Sequence, residues 1–405
     1  MACQLPPAPT PPPAESPPPA PTTIFTIGDD LLLEILVRLP SLPSLVRAAF
    51  ACRYFLHAVR SFPTFRPRFG ALHPPPLIGL FLKGRDGDVP SFAPLRGRAD
   101  PDYGAVLRGS DFFLTRLPDD QGFWHINHCH DGYLLLHNWT TRLSVAYNPL
   151  AGVLHPIPMP PHAVRDYHII MSSSPEERHG SSSSSSFRLV SVHEDGLQLR
   201  PVVYSSHTRE WQVFPWVEAA TINKDHPDDD KDFLPPTRGK LVNGRIYWTS
   251  YHFMIVLDTA TLQFSSMDLP PFIYGQKPFV VGDTKDEKLC VVCAIDEEAT
   301  IAVWVWRADD DRVDKWMLDK ENELEDLPVL KLVAVNRGSA HLHLMAIEQP
   351  DIVPLCCFFS LCLETEEMKK IFSLYQYEIE RSYPYIMPWP PSLVCNKANR
   401  RIEAA

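Results

Sequence analysis

The sequence lacks a long apolar run, and it lacks an excess of positive charge. No stretch of eighteen apolar residues occurs among its 405 residues, so no membrane span is expected. The formal net charge of −11 argues against nucleic acid as a partner, because nucleic acid selects basic surfaces. The first residues show no basic segment followed by an apolar core, so a secretory signal is not expected either.

Signatures of catalysis are also missing. The chain contains neither a phosphate-cradling Gly-rich loop nor a Gly-x-Ser-x-Gly elbow, and no carboxylate pair is marked out as acid and base by apolar surroundings. We therefore expect a protein that is not an enzyme and needs no cofactor. Its nine cysteines are odd in number and show no framework spacing, which suits a reducing compartment, cytoplasmic or nuclear.

Two groups of residues resemble metal or redox sites. The first contains four side chains that can bind metals, namely His125, His128, Cys129 and His130. In a strand, 128 and 130 share a face while 129 points away, and no second cluster has zinc spacing. The second is Cys290 and Cys293 in the apolar run LCVVCAI, where two core cysteines are expected instead of a redox pair. We expect no metal site.

Proline is abundant, at 42 residues, and much of it lies at the N-terminus. Residues 1–23 cannot form a core and are expected to be a disordered, Pro-rich tail with polyproline II character. Residues 25–66 follow, with three short amphipathic helices. Asp29 and Asp30 predict the start of the first helix by capping and by their charge, and Pro40 predicts its end. Ser41 is expected to cap the second helix.

The three helices carry more apolar side chains than forty residues can bury. In the first helix these are Leu32, Ile35, Leu36 and Leu39; in the second they are Leu45, Val46, Ala49 and Cys52; in the third they are Phe55, Ala58, Val59 and Phe62. Such a surplus predicts a partner surface. The alternative is an ordinary helical subdomain packed on the rest of the chain.

This segment resembles the F-box. The residues that match the family pattern are Asp29, Asp30, Leu31, Leu32, Glu34, Ile35, Leu36, Arg38, Leu39, Pro40, Leu45, Val46, Arg47, Cys52 and Arg53. Ile27-Gly28 stands where the family most often has Leu-Pro, and Phe55 where it most often has Trp; both keep an apolar anchor. The resemblance is dense but covers about a tenth of the chain, and the motif has the helical context that it requires.

The resemblance implies that the segment binds the adaptor Skp1 and, through it, a cullin. We expect the contact to come from Ile27, Leu31, Leu32, Ile35, Leu36, Leu39, Pro40, Leu45, Val46, Cys52 and Phe55. About half of these must instead belong to the core of the segment, and the sequence does not divide them. Replacing Leu36 by aspartate is expected to abolish adaptor binding while leaving the propeller folded.

From residue 77 onward only strands, turns and loops are expected. Short apolar runs recur in units of roughly forty to fifty residues, the period of propeller blades, with tight Asp-Gly or Asn-Gly turns at 131–132 and 243–244. Asn148 and Asp258 occupy equivalent turns, where their side chains are expected to bond local backbone. A multidomain α plus all-β fold follows, with a three-helix domain at 24–68 and a β-propeller at 77–397 of about six to eight blades. A pair of β-sandwiches is the alternative.

The β region resembles the F-box-associated, kelch-like propeller of land-plant F-box proteins. Its signs are Asp131-Gly132, Asn148-Pro149, Gly244 to Trp248 and Leu257 to Thr259, and residues 391–394 are expected to close the ring. The two resemblances imply a substrate-recognition subunit of an SCF-type E3 ubiquitin ligase, whose propeller captures a protein target. The alternative function is a non-catalytic ligand- or carbohydrate-binding propeller with a degenerate F-box, in which Trp248, Trp304 and Trp306 could line a sugar site.

Overall fold

The computed structural model describes residues 27–84, 89–95, 101–118, 123–161, 168–172, 186–195, 198–222, 239–249, 253–271, 273, 279–295, 300–308, 314–323, 330–336, 338–346, 355–375, 379–390 and 393. The tail predicted at 1–23 lies outside these residues. Within them, no helix is both long and apolar enough to cross a membrane.

Four helices, one more than the three predicted, open the described chain and form what we call the helical module: α1 (Asp29–Val37), α2 (Leu42–Ala51), α3 (Arg53–Ser61) and α4 (Phe65–Leu72). The fourth extends past residue 68, where the helical domain was predicted to end. The Ser41 side chain accepts a hydrogen bond from the backbone N–H of Ser44 at 3.2 Å, so the predicted cap of α2 is confirmed. The predicted cap of α1 is wrong. Gly28 occupies that position, and the two aspartates lie in the first turn, where their charge suits the helix dipole.

The expectation that no helix follows residue 77 is wrong. Helix α5 (Pro101–Gly109) lies between the second and third strands, and the short α6 (Ala219–Ile222) follows β11. The sequence did not indicate α5 because it begins with a proline and contains an interior glycine, Gly104, which is unfavourable in a helix. The proline is tolerated because it lies in the first turn.

The strands form six antiparallel sheets, which are the blades of a β-propeller. Blade 1 contains β1 (Leu77–Gly84), β2 (Ser91–Pro94) and β24 (Ile379–Ile386). Blade 2 contains β3 (Trp124–His130), β4 (Tyr133–Asn138), β5 (Leu143–Asn148) and β6 (Val153–Ile157). Blade 3 contains β7 (His168–Ser172), β8 (Phe187–Asp195), β9 (Gln198–Ser205) and β10 (Glu210–Val213), with β11 (Val217–Glu218) paired to β9.

Blade 4 contains β12 (Lys240–Val242), β13 (Arg245–Thr249), β14 (Phe253–Asp258) and β15 (Phe264–Asp268). Blade 5 contains β16 (Phe279–Asp283), β17 (Leu289–Ile295), β18 (Thr300–Ala308) and β19 (Asp314–Glu323). Blade 6 contains β20 (Leu330–Asn336), β21 (Ser339–Ala346), β22 (Leu355–Cys362) and β23 (Met368–Tyr375).

The innermost strands surround one axis. Strand β24 contacts β3 on one side and β20 on the other, and β16 contacts both β12 and β20. Strand β24 also pairs with β1, so the last strand of the chain closes the ring by joining the first. The predicted propeller is confirmed, with six blades. The closing strand predicted at 391–394 is wrong, because the pairing strand is Ile379–Ile386; of residues 391–394 only the buried Leu393 is described.

The turn between the first and second strands marks one end of the propeller. Asp131 and Gly132 have φ values of 46° and 80°, and Asn243 and Gly244 have φ values of 48° and 74°. Two positive φ values in a two-residue loop define the type I′ hairpin turn, as the sequence predicted. Strand β1 begins at this same end, because Leu77 pairs with Ile386, the last residue of β24. We call it the module end and the opposite end the distal end.

The turn between the third and fourth strands also lies at the module end. The Asp258 carboxylate accepts hydrogen bonds from the N–H groups of Ala260 and Thr261, both at 3.0 Å. Asn148 Oδ1 accepts from Ala151 N–H at 3.1 Å in the equivalent turn of blade 2. The predicted role of these two short polar side chains is confirmed.

Replacing Asp258 by alanine is expected to destabilise the propeller by about 1 kcal/mol, because two backbone donors lose their acceptor. The hydrogen bond from Thr261 is the main cause that lowers the pKa of Asp258, so the folded pKa lies below the unfolded one. The stabilisation is therefore present at neutral pH and is lost as the pH falls through the folded pKa. Urea unfolding at neutral and acid pH measures both effects.

Asp258→Asn is the matched control, because Asn148 performs the same role in blade 2. This variant should keep most of the stability and lose the acid dependence. Equal destabilisation by alanine and asparagine would contradict the role given to the side-chain oxygen.

Candidate functional site: an apolar helix face

Some apolar side chains of α1 lie in the protein core and others face the solvent. Leu32 and Leu36 are 0% and 2% exposed, and they share a core cluster with Leu45 of α2 and Trp124 of β3. The helical module and the first two blades therefore bury their apolar side chains in one continuous core. On the opposite face of α1, Leu31 is 64% exposed, and Ile35, one turn later, is 47% exposed.

The eleven residues expected to contact an adaptor fall into three groups. The core contains Leu32, Leu36 and Leu45; the exposed surface contains Leu31, Ile35 and Pro40; the half-buried positions between them contain Ile27, Leu39, Val46, Cys52 and Phe55. In this conformation the three core residues are not accessible to a partner, so the expectation for Leu36→Asp needs correction. A carboxylate there would disrupt the core that the module shares with blades 1 and 2, so the variant is not expected to leave the propeller intact.

Phe50 was missed by the sequence analysis. It lies on α2 and is 54% exposed, which is unusual for a large aromatic side chain on a small helical unit. A signal was present, because Phe50 follows Val46 by four residues and so lies at the outer edge of the apolar stripe that Leu45, Val46 and Ala49 form in the sequence.

Polar contacts fix the position of α1. The hydroxyl of Tyr54 on α3 donates to the Asp29 carboxylate at 2.7 Å, which raises the pKa of Tyr54. Arg68 on α4 donates to Glu34, and this hydrogen bond is the main cause that lowers the pKa of Glu34. His73 Nε2 lies 2.9 Å from the carbonyl oxygen of Val37. Both ends of α1 are thus anchored, and its exposed face is presented in a fixed orientation.

A buried carboxylate links the module to the propeller. Asp102 on α5 accepts a hydrogen bond from Ser44 Oγ at 2.9 Å, and Arg47 lies 3.1 Å from its other oxygen. On another side of the module, Phe69 of α4 packs edge-on against Trp389, just after β24, with ring centroids 5.9 Å apart. These contacts hold the module at the module end of blades 1 and 2.

Replacing Asp102 by alanine is expected to weaken the docking of α2 by about 2 kcal/mol, because Ser44 loses its buried acceptor. Faster hydrogen exchange of the α2 amides would measure this. The matched variant is Arg47→Ala, which removes a side chain that is 73% exposed and should cost less than about 1 kcal/mol. Equal effects would show that the ion pair, and not the Ser44 hydrogen bond, stabilises the contact.

Ionisable side chains also meet near the propeller axis. They are Lys240 on β12, Asp283 on β16, Cys290 on β17 and the pair Cys129 and His130 on β3. Burial lowers the pKa of Lys240, and the charge of Asp283 opposes that change. Burial raises the pKa of Cys129 to about 12, and that of Cys290 to about 12 as well. Neither thiol is therefore activated as a nucleophile at neutral pH.

The four side chains considered as metal ligands do not come together at one point, although the rings of His128 and His130 are neighbours with centroids 5.8 Å apart. His125 contacts Lys83 of blade 1, whereas His128 accepts a hydrogen bond from the Ile170 N–H of blade 3 at 3.3 Å. Among the described residues, no three metal-ligating side chains are grouped as a site. The core placement predicted for Cys290 and Cys293 is confirmed, since they are 0% and 2% exposed.

The tryptophans proposed for a sugar site do not form an open platform. Trp248 is 1% exposed and lies in the core shared by blades 3 and 4. Trp304 and Trp306 are half-buried against the core between blades 4 and 5, and Trp306 packs against Trp316 with centroids 5.3 Å apart. These contacts give all three residues a packing role.

No protein-family model and no curated protein matches the chain. Among solved structures it is similar to a TolB candidate from Agrobacterium tumefaciens, with 9% identity, 66% of this chain and 91% of that chain covered and a TM-score of 0.37. It is also similar to a quinonprotein alcohol dehydrogenase-like protein from Bacteroides thetaiotaomicron, with 11% identity, coverage of 76% and 77% and a TM-score of 0.36. For the N-terminal domain of Nup159 the values are 14% identity, 47% and 51% coverage and a TM-score of 0.25, so the chain spans about half of that structure's length.

Proposed function

We propose that this chain is the substrate-recognition subunit of an SCF-type E3 ubiquitin ligase. The observation that carries the proposal is the exposed pair Leu31 and Ile35 on a helix whose other face is fully buried. Together with the F-box resemblance of residues 25–66, it supports docking of the module to a Skp1-type adaptor and, through it, to a cullin. Two exposed aliphatic side chains on one face of a fixed helix suit a protein partner.

In this mechanism the chain acts by holding two other proteins close together. The helical module binds the adaptor, the propeller binds the protein target, and the target is held close to a charged ubiquitin-conjugating enzyme. Proximity raises the effective concentration of the target, and the receptor performs no bond chemistry itself. This role suits a cytoplasmic or nuclear protein. The rigid link through Asp102 and Trp389 supports it, because a fixed geometry between the two binding surfaces determines which lysines of the target can be reached.

The test is direct binding between the purified chain and a purified Skp1-type adaptor. We expect a stoichiometric complex on size exclusion and by calorimetry, followed by assembly with a cullin. A folded chain that does not bind the adaptor at micromolar concentration would refute the proposal. Affinity purification under proteasome inhibition then identifies the target.

A further inference from the structure

The contact between blades 2 and 3 is apolar near the module end and polar toward the distal end. The apolar part contains Tyr133, Leu135, Phe187 and Leu189. Tyr133 on β4 and Phe187 on β8 lie at the same level, because their rings pack with centroids 5.2 Å apart. Alternate residues of a strand share a face, so the next positions on these two faces are His137 and Ser191. Both are buried, so polar groups replace the apolar core in the distal half of the contact.

The Ser191 hydroxyl has no hydrogen-bond partner among the described residues. The side chain is 0% exposed, and across the ladder it faces Val202 on β9, which offers no polar group. On the side of blade 2, His137 Nδ1 lies 2.9 Å from the hydroxyl oxygen of Ser144. Native proteins contain few buried hydroxyls without a partner, because burial without a hydrogen bond is unfavourable. A ligand that reaches Ser191 would supply the missing partner.

Arg200 lies on the same face, one step closer to the distal end. It pairs with His193 across the ladder of β8 and β9, which makes it the diagonal neighbour of Ser191, within the reach of a long side chain. Its guanidinium lies over the Trp216 indole, 4.3 Å from the ring centre, and its Nε is buried without an acceptor among the described residues. Stacking therefore fixes the orientation of Arg200 and leaves its Nε donor unused.

The carboxylates of the described strands do not serve Arg200. Glu218, two residues after Trp216, accepts a hydrogen bond from the Gln198 amide. Arg307, on the third strand of blade 5 as Arg200 is on the third strand of blade 3, donates to Asp319 at 3.0 Å. A planar guanidinium that is stacked on an aromatic ring and has an open donor fits the geometry of a carboxylate or a phosphate group.

Two tryptophans at the distal end give a ligand access to these groups. Trp139 follows β4 and lies six residues beyond Tyr133, as His193 lies six residues beyond Phe187, so the register places both at the same level. Trp139 is 50% exposed and Trp216 is 37% exposed. Six residues of strand span about 20 Å, so a ligand at this level leaves the exposed face of α1 free. A receptor that binds an adaptor and a target at the same time needs two such separate surfaces.

We propose that Ser191, Arg200, Trp216 and Trp139, which we call the distal site, bind an oxyanion of the target protein, either a side-chain carboxylate or a phosphate group. Arg200 and the Ser191 hydroxyl donate to the oxyanion, and the two tryptophans contact the segment that carries it. Nucleic acid also offers phosphates, but one arginine in a chain of net charge −11 does not make a basic surface. The inference rests on the proposed function in naming the target as the carrier.

The experiment probes a peptide array with the full chain. The peptides have random flanks around a central residue that is glutamate, phosphoserine or glutamine in three matched sets. We expect binding to the glutamate or the phosphoserine set and none to the glutamine set. Arg200→Gln should weaken a selected peptide by more than about tenfold, and Trp216→Ala by about fivefold. The matched control is Arg307→Gln, which removes an arginine that already has a partner and should leave the affinity unchanged.

Ser191→Ala separates a ligand role from a structural one. It removes a buried hydroxyl without a partner, so the Tm of the free chain should stay the same or rise. Binding of a selected peptide should nevertheless weaken by about fivefold. The matched control is Ser266→Ala, whose hydroxyl donates to the Ile222 carbonyl at 2.8 Å. That variant should lower the Tm and leave the peptide affinity unchanged.

Four results would overturn the inference. They are no binding to the array, equal binding to the glutamine set, equal binding by a folded Arg200→Gln variant, and binding of a fluorescein-labelled oligothymidine that Arg200→Gln abolishes. Competition with free phosphate and free acetate distinguishes the source of the oxyanion. We expect either ion to compete far more weakly than the peptide, and equal strength would assign the site to a small anion instead of a target.

The outcome is independent of the adaptor. Thermal melts verify that each variant is folded, and no adaptor is present in the array experiment. Failure here therefore leaves the adaptor-binding result standing, and failure of adaptor binding leaves this result standing.

Discussion

A chain in which Leu31 and Ile35 are both replaced by aspartate is expected to lose its binding to a Skp1-type adaptor while remaining folded. The two side chains are 64% and 47% exposed, so aspartate there costs the isolated chain little. Covered by a partner, each would contribute at least about 1.5 kcal/mol through burial. Their joint loss corresponds to more than a hundredfold weaker binding at about 3 kcal/mol, before the cost of burying two carboxylates is added. Calorimetry with the purified adaptor measures the affinity.

The matched control is Leu72→Asp. Leu72 is 60% exposed on α4, so it tests an equally exposed leucine of the same module outside α1. We expect it to leave the affinity almost unchanged. If the double variant bound the adaptor as tightly as the unaltered chain, the face of α1 would not be the docking surface. Loss of binding in all variants, Leu72→Asp included, would indicate a general sensitivity of the module to charge.

Leu36 shows why the sequence could not divide core from surface in α1. Seven of the nine positions from 31 to 39 are apolar, so no narrow stripe defines the inner face. The division depends on how α3 and α4 pack against the helix and on the blade 2 core that receives Leu32 and Leu36, and these are tertiary properties. The existence of an apolar surplus was predictable, whereas the side chains that form it were not.

The propeller was predictable where local chemistry determines the backbone. Asp131-Gly132 and Asn243-Gly244 specify hairpin turns whatever the rest of the chain does, and Asn148 and Asp258 specify their own turns. The closing strand was not predictable in this way. Strand β24 reads IERSYPYI, and a proline within such a run argues against a strand. Pro384 is tolerated because β24 is the innermost strand of blade 1, with β1 on one side and the propeller axis on the other.

The Tyr385 hydroxyl on β24 gives blade 2 a hydrogen bond that a backbone N–H provides in blades 4 and 6. In blade 4 the Thr259 N–H donates to the carbonyl of the turn glycine Gly244 at 2.9 Å, and in blade 6 the equivalent bond joins Leu363 to Gly338 at 2.8 Å. Blade 2 has Pro149 at this position, and proline has no N–H to donate. The Gly132 carbonyl instead accepts from the Tyr385 hydroxyl at 3.0 Å. Burial raises the pKa of Tyr385 well above its usual value, so the donor keeps its proton.

Replacing Tyr385 by alanine is therefore expected to cost about 4 kcal/mol, enough to open the ring between β24 and blade 2. The side chain is fully buried, and its ring packs edge-on against Phe112 at 5.2 Å and Phe81 at 5.8 Å. Tyr385→Phe keeps these contacts and should cost only about 1 to 2 kcal/mol, through the unsatisfied carbonyl of Gly132. Urea unfolding and the rate of proteolysis at the end of β24 measure both variants.

A double variant separates the hydrogen bond from the packing. Pro149→Ala returns an N–H to the position that Thr259 and Leu363 occupy in blades 4 and 6, so it can supply the Gly132 carbonyl with a new donor. We expect Tyr385→Phe to cost less in the Pro149→Ala background than in the unaltered chain, with a coupling of about 1 kcal/mol. Strict additivity of the two substitutions would mean that the Tyr385 hydroxyl does not replace the backbone donor that proline removed, and that β24 is held in the ring by its aromatic packing alone.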